Sequence, residues 1–181
     1  MSDEQLIQEI ISGNTIVFKE LMEKYQGMVF RTTLGFVHSK ADAEDITQEV
    51  FIKIYQSLPD FKGEAQFVTW LYRITVNASI NFVNRKKKNR VVESLENIFH
   101  KQSEEKTPLE RLEQSERDKR IKNAINSLPD SQRTAFILSK YEELPQKEIA
   151  AVMKKSEGAV EQLLQRAKST LQKKLEYDRR K

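Results

Sequence analysis

Apolar residues recur every three or four positions along most of this chain, and nowhere do they alternate for long enough to make a strand. Phe18, Leu21, Met22, Tyr25 and Val29 share one helix face, and Phe36 continues it. Ile46, Val50, Ile54 and Leu58 make a second stripe; Phe67, Trp70, Leu71, Ile74, Ala78 and Phe82 make a third. Gly and Pro number only five and four, too few for the many tight turns of an all-β fold. The pattern predicts an all-α protein.

Its punctuation predicts where the helices stop. Gly13-Asn14 ends a first short helix carrying Leu6 and Ile10. Ser39 caps the helix that opens Ala41-Asp42-Ala43-Glu44-Asp45, and Pro59 ends it. Asp60–Gln66 reads as a loop. Residues 91–118 are acidic, hold Pro108 and only scattered apolar residues, and read as a partly helical linker. A second helical block starts near Lys119. Ile121, Ala124, Ile125 and Leu128 form its first face; after Pro129, Asp130 or Ser131 caps a helix burying Ala135, Ile137, Leu138 and Tyr141. Pro145 suits the first position of the next helix, and Ala159–Leu175 is a long amphipathic one with Val160, Leu163, Leu164, Ala167 and Leu171 inside. Two small helical domains are expected, residues 1–90 and 119–181, joined by the linker 91–118.

The net charge of +4 hides a pattern. Residues 1–84 carry −4, RKKKNR at 85–90 carries +5, residues 91–118 carry −4, and residues 119–181 carry +7. Two basic regions separated by acidic ones suit two contacts with a polyanion. The absence of Cys excludes disulfides, thiol catalysis and Cys-ligated zinc. His38 and His100 have no nucleophile or carboxylate patterned around them and read as surface residues. No phosphate loop, nucleophile elbow or zinc motif is present, so nothing points to an enzyme or a cofactor. No apolar run is long enough to span a membrane, and the N-terminus lacks signal-peptide features; the expected compartment is the cytoplasm.

Glu148-Ile149-Ala150, the turn near Ser156-Glu157-Gly158 and the helix after it have the layout of a helix-turn-helix. Small Ala150 and Ala151 would admit the second helix, with Gly158 and Ala159 at the crossing. Ser156 would cap that helix, leaving Glu161, Gln162, Gln165, Arg166, Lys168 and Ser169 outward for a major groove. An ordinary helical hairpin has the same spacing. Upstream, Phe61, Phe67, Trp70, Tyr72 and Phe82 precede the basic cluster, and aromatic platforms beside positive charge suit unpaired bases. Phe67, Trp70 and Phe82 fall on the apolar stripe and read as core; Phe61, in the loop, reads as contact. Asn77 and Asn81 share a helix face. Asp42, Glu44, Asp45 and Glu49 suit a protein-contact face better than a metal site.

Taken together, these segments resemble the extracytoplasmic-function sigma factors of bacterial RNA polymerase. Phe61 to Asn77 (FKGEAQFVTWLYRITVN) is similar to their promoter-melting region, Asp42 to Phe51 (DAEDITQEVF) to their polymerase-binding helix, and Leu128-Pro129 with Glu148–Lys168 to their second domain. The resemblance implies a subunit without catalysis of its own that binds core RNA polymerase and promoter DNA, and it implies an anti-sigma protein as a further partner. Asp45, Gln48, Glu49 and Phe51 would meet the polymerase. Phe61, Lys62 and Gly63, with Asn77 and Asn81, would capture a −10 base, while Arg73, Arg85, Lys86, Lys87 and Lys88 hold the backbone. Ser156, Gly158, Ala159, Glu161, Gln162, Gln165, Arg166 and Lys168 would read the −35 element. Two departures stand out: Glu161-Gln162-Leu163 where relatives often carry basic residues, and Asn81 and Asn84 where they often carry Asp and Arg. From the residues alone, a stand-alone helix-turn-helix regulator and a helical protein that binds no DNA remain alternatives.

Overall fold

The computed structural model describes residues 1–96 and 109–179. Among them there are eight α-helices and no strand: α1 (Asp3–Ile11), α2 (Phe18–Val37), α3 (Lys40–Ser57), α4 (Phe67–Glu96), α5 (Leu109–Asn126), α6 (Asp130–Lys140), α7 (Gln146–Met153) and α8 (Glu157–Arg179). Helices α1 to α4 pack as one bundle and α5 to α8 as another, with α2 meeting α6 and α4 meeting α7 across the seam. Buried residues run from Leu6 to Val160 as one cluster through both bundles.

Local chemistry sets the helix ends. A capping box opens α1: the Ser2 hydroxyl accepts from the Gln5 amide and the Gln5 side chain accepts from the Ser2 amide. Gly13, at φ +104°, lets the chain turn back after α1. Ser39 caps α3 as expected, its hydroxyl accepting from the Asp42 amide at 3.3 Å. The loop after Pro59 begins with a 3-10 turn, Leu58–Asp60, and continues to Gln66.

Several expectations need correction. Helix α4 runs 30 residues, about 45 Å, so the 85–90 cluster continues a helix into the region read as linker. Helix α5 begins at Leu109, ten residues before the expected start. The rest of the linker, with His100, lies outside the described residues. Pro129, not Asp130 or Ser131, stands at the N-cap of α6; Asp130 instead accepts from Arg133 at 2.8 Å. Tyr141 is exposed at its edge, because it lies on Gly35 rather than inside the C-terminal bundle.

His38 is no surface residue either. It ends α2 in the left-handed conformation, φ 55°, at the seam. Burial, then the positive charges of Lys122 and Arg133, push its imidazole down to about 4, with Asn126 pulling weakly the other way. The folded protein therefore holds a neutral ring, while the unfolded chain protonates below about 6.5. His38 adds stability in full above that pH, and the contribution is lost as pH falls toward 4. The thermal midpoint is expected to drop between pH 7 and 5, and His38→Asn, whose side chain tolerates the left-handed backbone, should flatten that drop. An unchanged slope would show that His38 is accessible to protons in the folded state.

Candidate nucleic-acid and partner interfaces

Helix α3 has two faces. Ala43, Ile46, Val50 and Ile54 are buried, so the residues between them point outward. Asp45 and Gln48 are exposed, and Glu49 pairs with Lys53 at 2.8 Å. Phe51 does not join them: it is 4% exposed and packs edge-on to Phe18 at 6.5 Å. Its place in an outward face falls to two residues that sequence reasoning missed, Ile52 at 58% exposure and Tyr55 at 44%. Positions 45, 48, 52 and 55 follow helical spacing, so they form one continuous strip. Tyr55 is braced from behind by Phe18, ring centroids 5.0 Å apart. The signal was present: Ile52 and Tyr55 are large apolar residues lying off the buried stripe.

The loop after α3 presents Lys62 and Gly63 to solvent, with Gly63 at φ +69°. Phe61 precedes them, half-buried, its ring 5.0 Å from Trp70 and 5.8 Å from Phe67. The loop aromatic is thus seated on a small aromatic floor. That floor is the apolar start of α4, with Phe67 buried and Trp70 half-exposed. Along α4, Asn77, Asn81 and Asn84 are exposed on the face that begins at Arg73. The opposite face is interior, where Thr75 and Ser79 donate their hydroxyls to carbonyls one turn back at 2.8 Å, so their buried oxygens are satisfied.

The basic end of α4 folds partly onto its own bundle. Lys86 reaches Asp42 at 2.6 Å, and Arg85 and Lys86 lie 5.5 and 5.7 Å from the Phe82 ring. Lys87 and Lys88 are exposed. Arg73 is held as well: its Nη2 donates to the Ala151 carbonyl at 2.7 Å and its Nε to Val152 at 3.3 Å. Both carbonyls belong to the last turn of α7, the negative end of that helix.

In the C-terminal bundle the turn between α7 and α8 passes through Lys154 in the left-handed conformation, φ 52°. Ser156 caps α8, its hydroxyl accepting from the Ala159 amide at 3.2 Å. Val160 and Ala167 are buried; Glu161, Gln162, Gln165, Arg166 and Lys168 are exposed. Glu161 accepts from Gln165 at 3.3 Å, which turns the carboxylate along the helix. Ala150 is buried as a small contact residue, whereas Gly158 is exposed with open space where a Cβ would stand, so it is not at the helix crossing. Among the described residues no group of three or more His, Asp or Glu is placed to hold a metal ion.

Sequence reasoning also missed the polar groups of the seam. Glu142 lies just beyond α6, its side chain 1% exposed. One oxygen accepts from Arg31 at 3.1 Å and from the Tyr72 hydroxyl at 3.2 Å, both on the N-terminal bundle; the other has no partner. Burial, then Glu142, raises the Tyr72 phenol far above its ordinary range, so it stays a donor.

Residues 21–89 match Sigma-70 region 2 and residues 118–171 match Sigma-70 region 4. The chain is 32% identical to RNA polymerase sigma-H factor of Pseudomonas aeruginosa, across 96% of this chain and 94% of that protein. It is 32% identical to ECF RNA polymerase sigma-E factor of Escherichia coli K12, across 97% and 95%. The fold matches CnrH, solved in complex with the cytosolic domain of CnrY, at a TM-score of 0.69 and 23% identity over 97% of this chain and 98% of that one. It also matches the sigma factor RpoE of Bartonella quintana, solved with the anti-sigma factor NepR, at a TM-score of 0.60 and 21% identity over 89% and 98%. With both sigma regions in order and whole-length relatives above 30% identity, the chain belongs to the extracytoplasmic-function sigma factors of RNA polymerase.

Proposed function

We propose that this sigma factor binds core RNA polymerase through the outer strip of α3 and meets promoter DNA at two places. Residues 1–90 act at the −10 element and residues 119–181 at the −35 element, with 91–118 between. Asp45 and Gln48, with Ile52 and Tyr55, form the polymerase face; Glu49 borders it. Phe61 receives a flipped −10 base on its aromatic floor, and Asn77 and Asn81 meet base edges. Lys62, Lys87, Lys88 and Arg73 steady the backbone. Helix α8 enters the major groove from its capped N-terminus: Glu161 and Gln162 face bases, and Arg166 and Lys168 face phosphates. An anti-sigma protein is a further partner in this reading, which rests on the family.

The observation that carries the proposal is the separation of functions on one surface. An apolar-acidic strip on α3 suits a protein, while the aromatic loop, the asparagine stripe and the exposed basic side of α8 suit nucleic acid. The test mixes purified chain and core polymerase on genomic fragments and reads run-off transcripts. Discrete transcripts are expected only with both components. A chain that neither binds core nor supports initiation would overturn the proposal, and tight duplex binding by the chain alone would favour a stand-alone regulator.

A further inference from the structure

Between α4 on one side and α6 and α7 on the other lies a cleft of about 420 Å³. That is within the range of about 300–1,000 Å³ typical of small-molecule pockets. Its walls are mostly apolar: Val76 and Ile80 come from α4, and Val152 and Met153 from α7. Val76 and Val152 are buried, and Ile80 and Met153 are half-buried. Close-packed interiors leave no void of this size, and water held against such walls finds few hydrogen-bond partners. The cleft therefore favours an apolar guest.

Its charges are unevenly placed. Arg73, Lys154 and Lys155 line it, against one carboxylate, Asp130. Asp130 is already engaged, accepting from Arg133 at 2.8 Å and from Asn84 at 3.4 Å. Arg73 is engaged only in part. Its Nη2 and Nε donate to the Ala151 and Val152 carbonyls, and among the described residues its Nη1 donates to none. Lys154 and Lys155 are exposed at the rim. An anion entering the cleft meets three cations, and Nη1 can bind it without releasing α7. A guanidinium edge of this kind suits a carboxylate.

We infer that this cleft is a binding site for a small apolar carboxylate. Its hydrocarbon part lies between Ile80 and Met153, and its head meets Arg73 Nη1 with Lys154 and Lys155 beside it. The consequence for promoter binding rests on the function proposed above. Arg73 and Asn77 both line the cleft, and in that reading Arg73 steadies the −10 backbone while Asn77 meets a base edge. A bound acid takes the N–H groups left on Arg73 and covers Asn77, so the acid and the −10 element compete. By linkage, each weakens the other's binding by the same factor.

Isothermal titration calorimetry on the full chain tests the site with hexanoate, octanoate and decanoate. Each methylene buried should tighten binding about four-fold, so octanoate should bind about 15-fold more tightly than hexanoate. Octanol, of the same length but uncharged, should bind about ten-fold more weakly than octanoate. Affinities that ignore chain length would overturn the cleft as the site, and equal binding of octanol would overturn the carboxylate head. Ile80→Trp fills the cleft from α4. Ser131→Trp, at an exposed position on its α6 side, blocks the rim and serves if Ile80→Trp fails to fold. Either change should abolish binding; wild-type affinity in a folded Ser131→Trp chain would overturn the proposal. In run-off transcription, saturating decanoate should lower wild-type output several-fold and leave that of Ser131→Trp unaffected. Binding without this difference would overturn the competition. If the wild-type chain supports no initiation, the functional proposal fails while calorimetry still decides the site.

Discussion

Replacing Ile52 with Asp is expected to weaken binding to core RNA polymerase roughly 30-fold or more while the chain stays folded. Ile52 is 58% exposed on α3 and contributes no side chain to the buried cluster. A surface change of this kind alters stability by a few tenths of a kcal/mol. At an interface the effect is different. Ile52 lies midway along the strip from Asp45 to Tyr55, where a partner would exclude water, and a buried carboxylate there has nothing to pair with. Truncation at such a centre costs about 2 kcal/mol or more, roughly a 30-fold loss in affinity. The neighbouring Phe51→Ala supplies the contrast. Phe51 is buried beneath Phe18, so its loss should cost about 3–5 kcal/mol of stability and weaken polymerase binding only through unfolding. Titration against labelled core polymerase, paired with urea denaturation, separates the two. Wild-type affinity in Ile52→Asp would move the polymerase site off this strip.

The pair shows how far the amino-acid pattern could be read. Helical periodicity was plain because each helix buries one side: Ile46, Val50 and Ile54 recur at four-residue steps and are all buried. Ser39, Gly13 and Ser156 were legible because caps act over three or four residues. Phe51 was misplaced because α3 has neighbours on more than one side. Position 51 falls off the four-spaced stripe yet meets Phe18, a contact set by how α2 crosses α3. The same limit hid the seam. Glu142, Arg31 and Tyr72 lie 111 and 70 residues apart along the chain and meet only when two bundles dock. A carboxylate in a turn looks solvated in sequence, and nothing local says that docking will bury it. Arg73 was legible as a basic residue on a polar face, but its engagement with α7 depends on that same docking.

Phe61→Ala is expected to remove most open complexes on duplex promoters while core binding persists. Two roles of the ring must be separated. In the folded chain Phe61 leans on Trp70 and Phe67, contacts worth about 0.5–1.5 kcal/mol each beyond burial. The ring is only half-buried and its ring partners are Phe67 and Trp70 on α4, so this loss loosens the loop without unfolding the bundle. In the open complex it would also forfeit stacking on an unpaired base, about 1–3 kcal/mol, or roughly 5- to 150-fold in the open-to-closed ratio. Unpairing itself costs a few kcal/mol, so on duplex DNA the equilibrium is near balance and feels the whole deficit. On a template with mismatched −10 bases that cost is absent, the open state is saturated, and the same deficit barely changes occupancy. Permanganate reactivity of unpaired thymines should therefore fall sharply for Phe61→Ala on duplex promoters and recover on the mismatched template. An equal deficit on both templates, together with lost core binding, would show that Phe61 acts through the fold of its bundle rather than on the base.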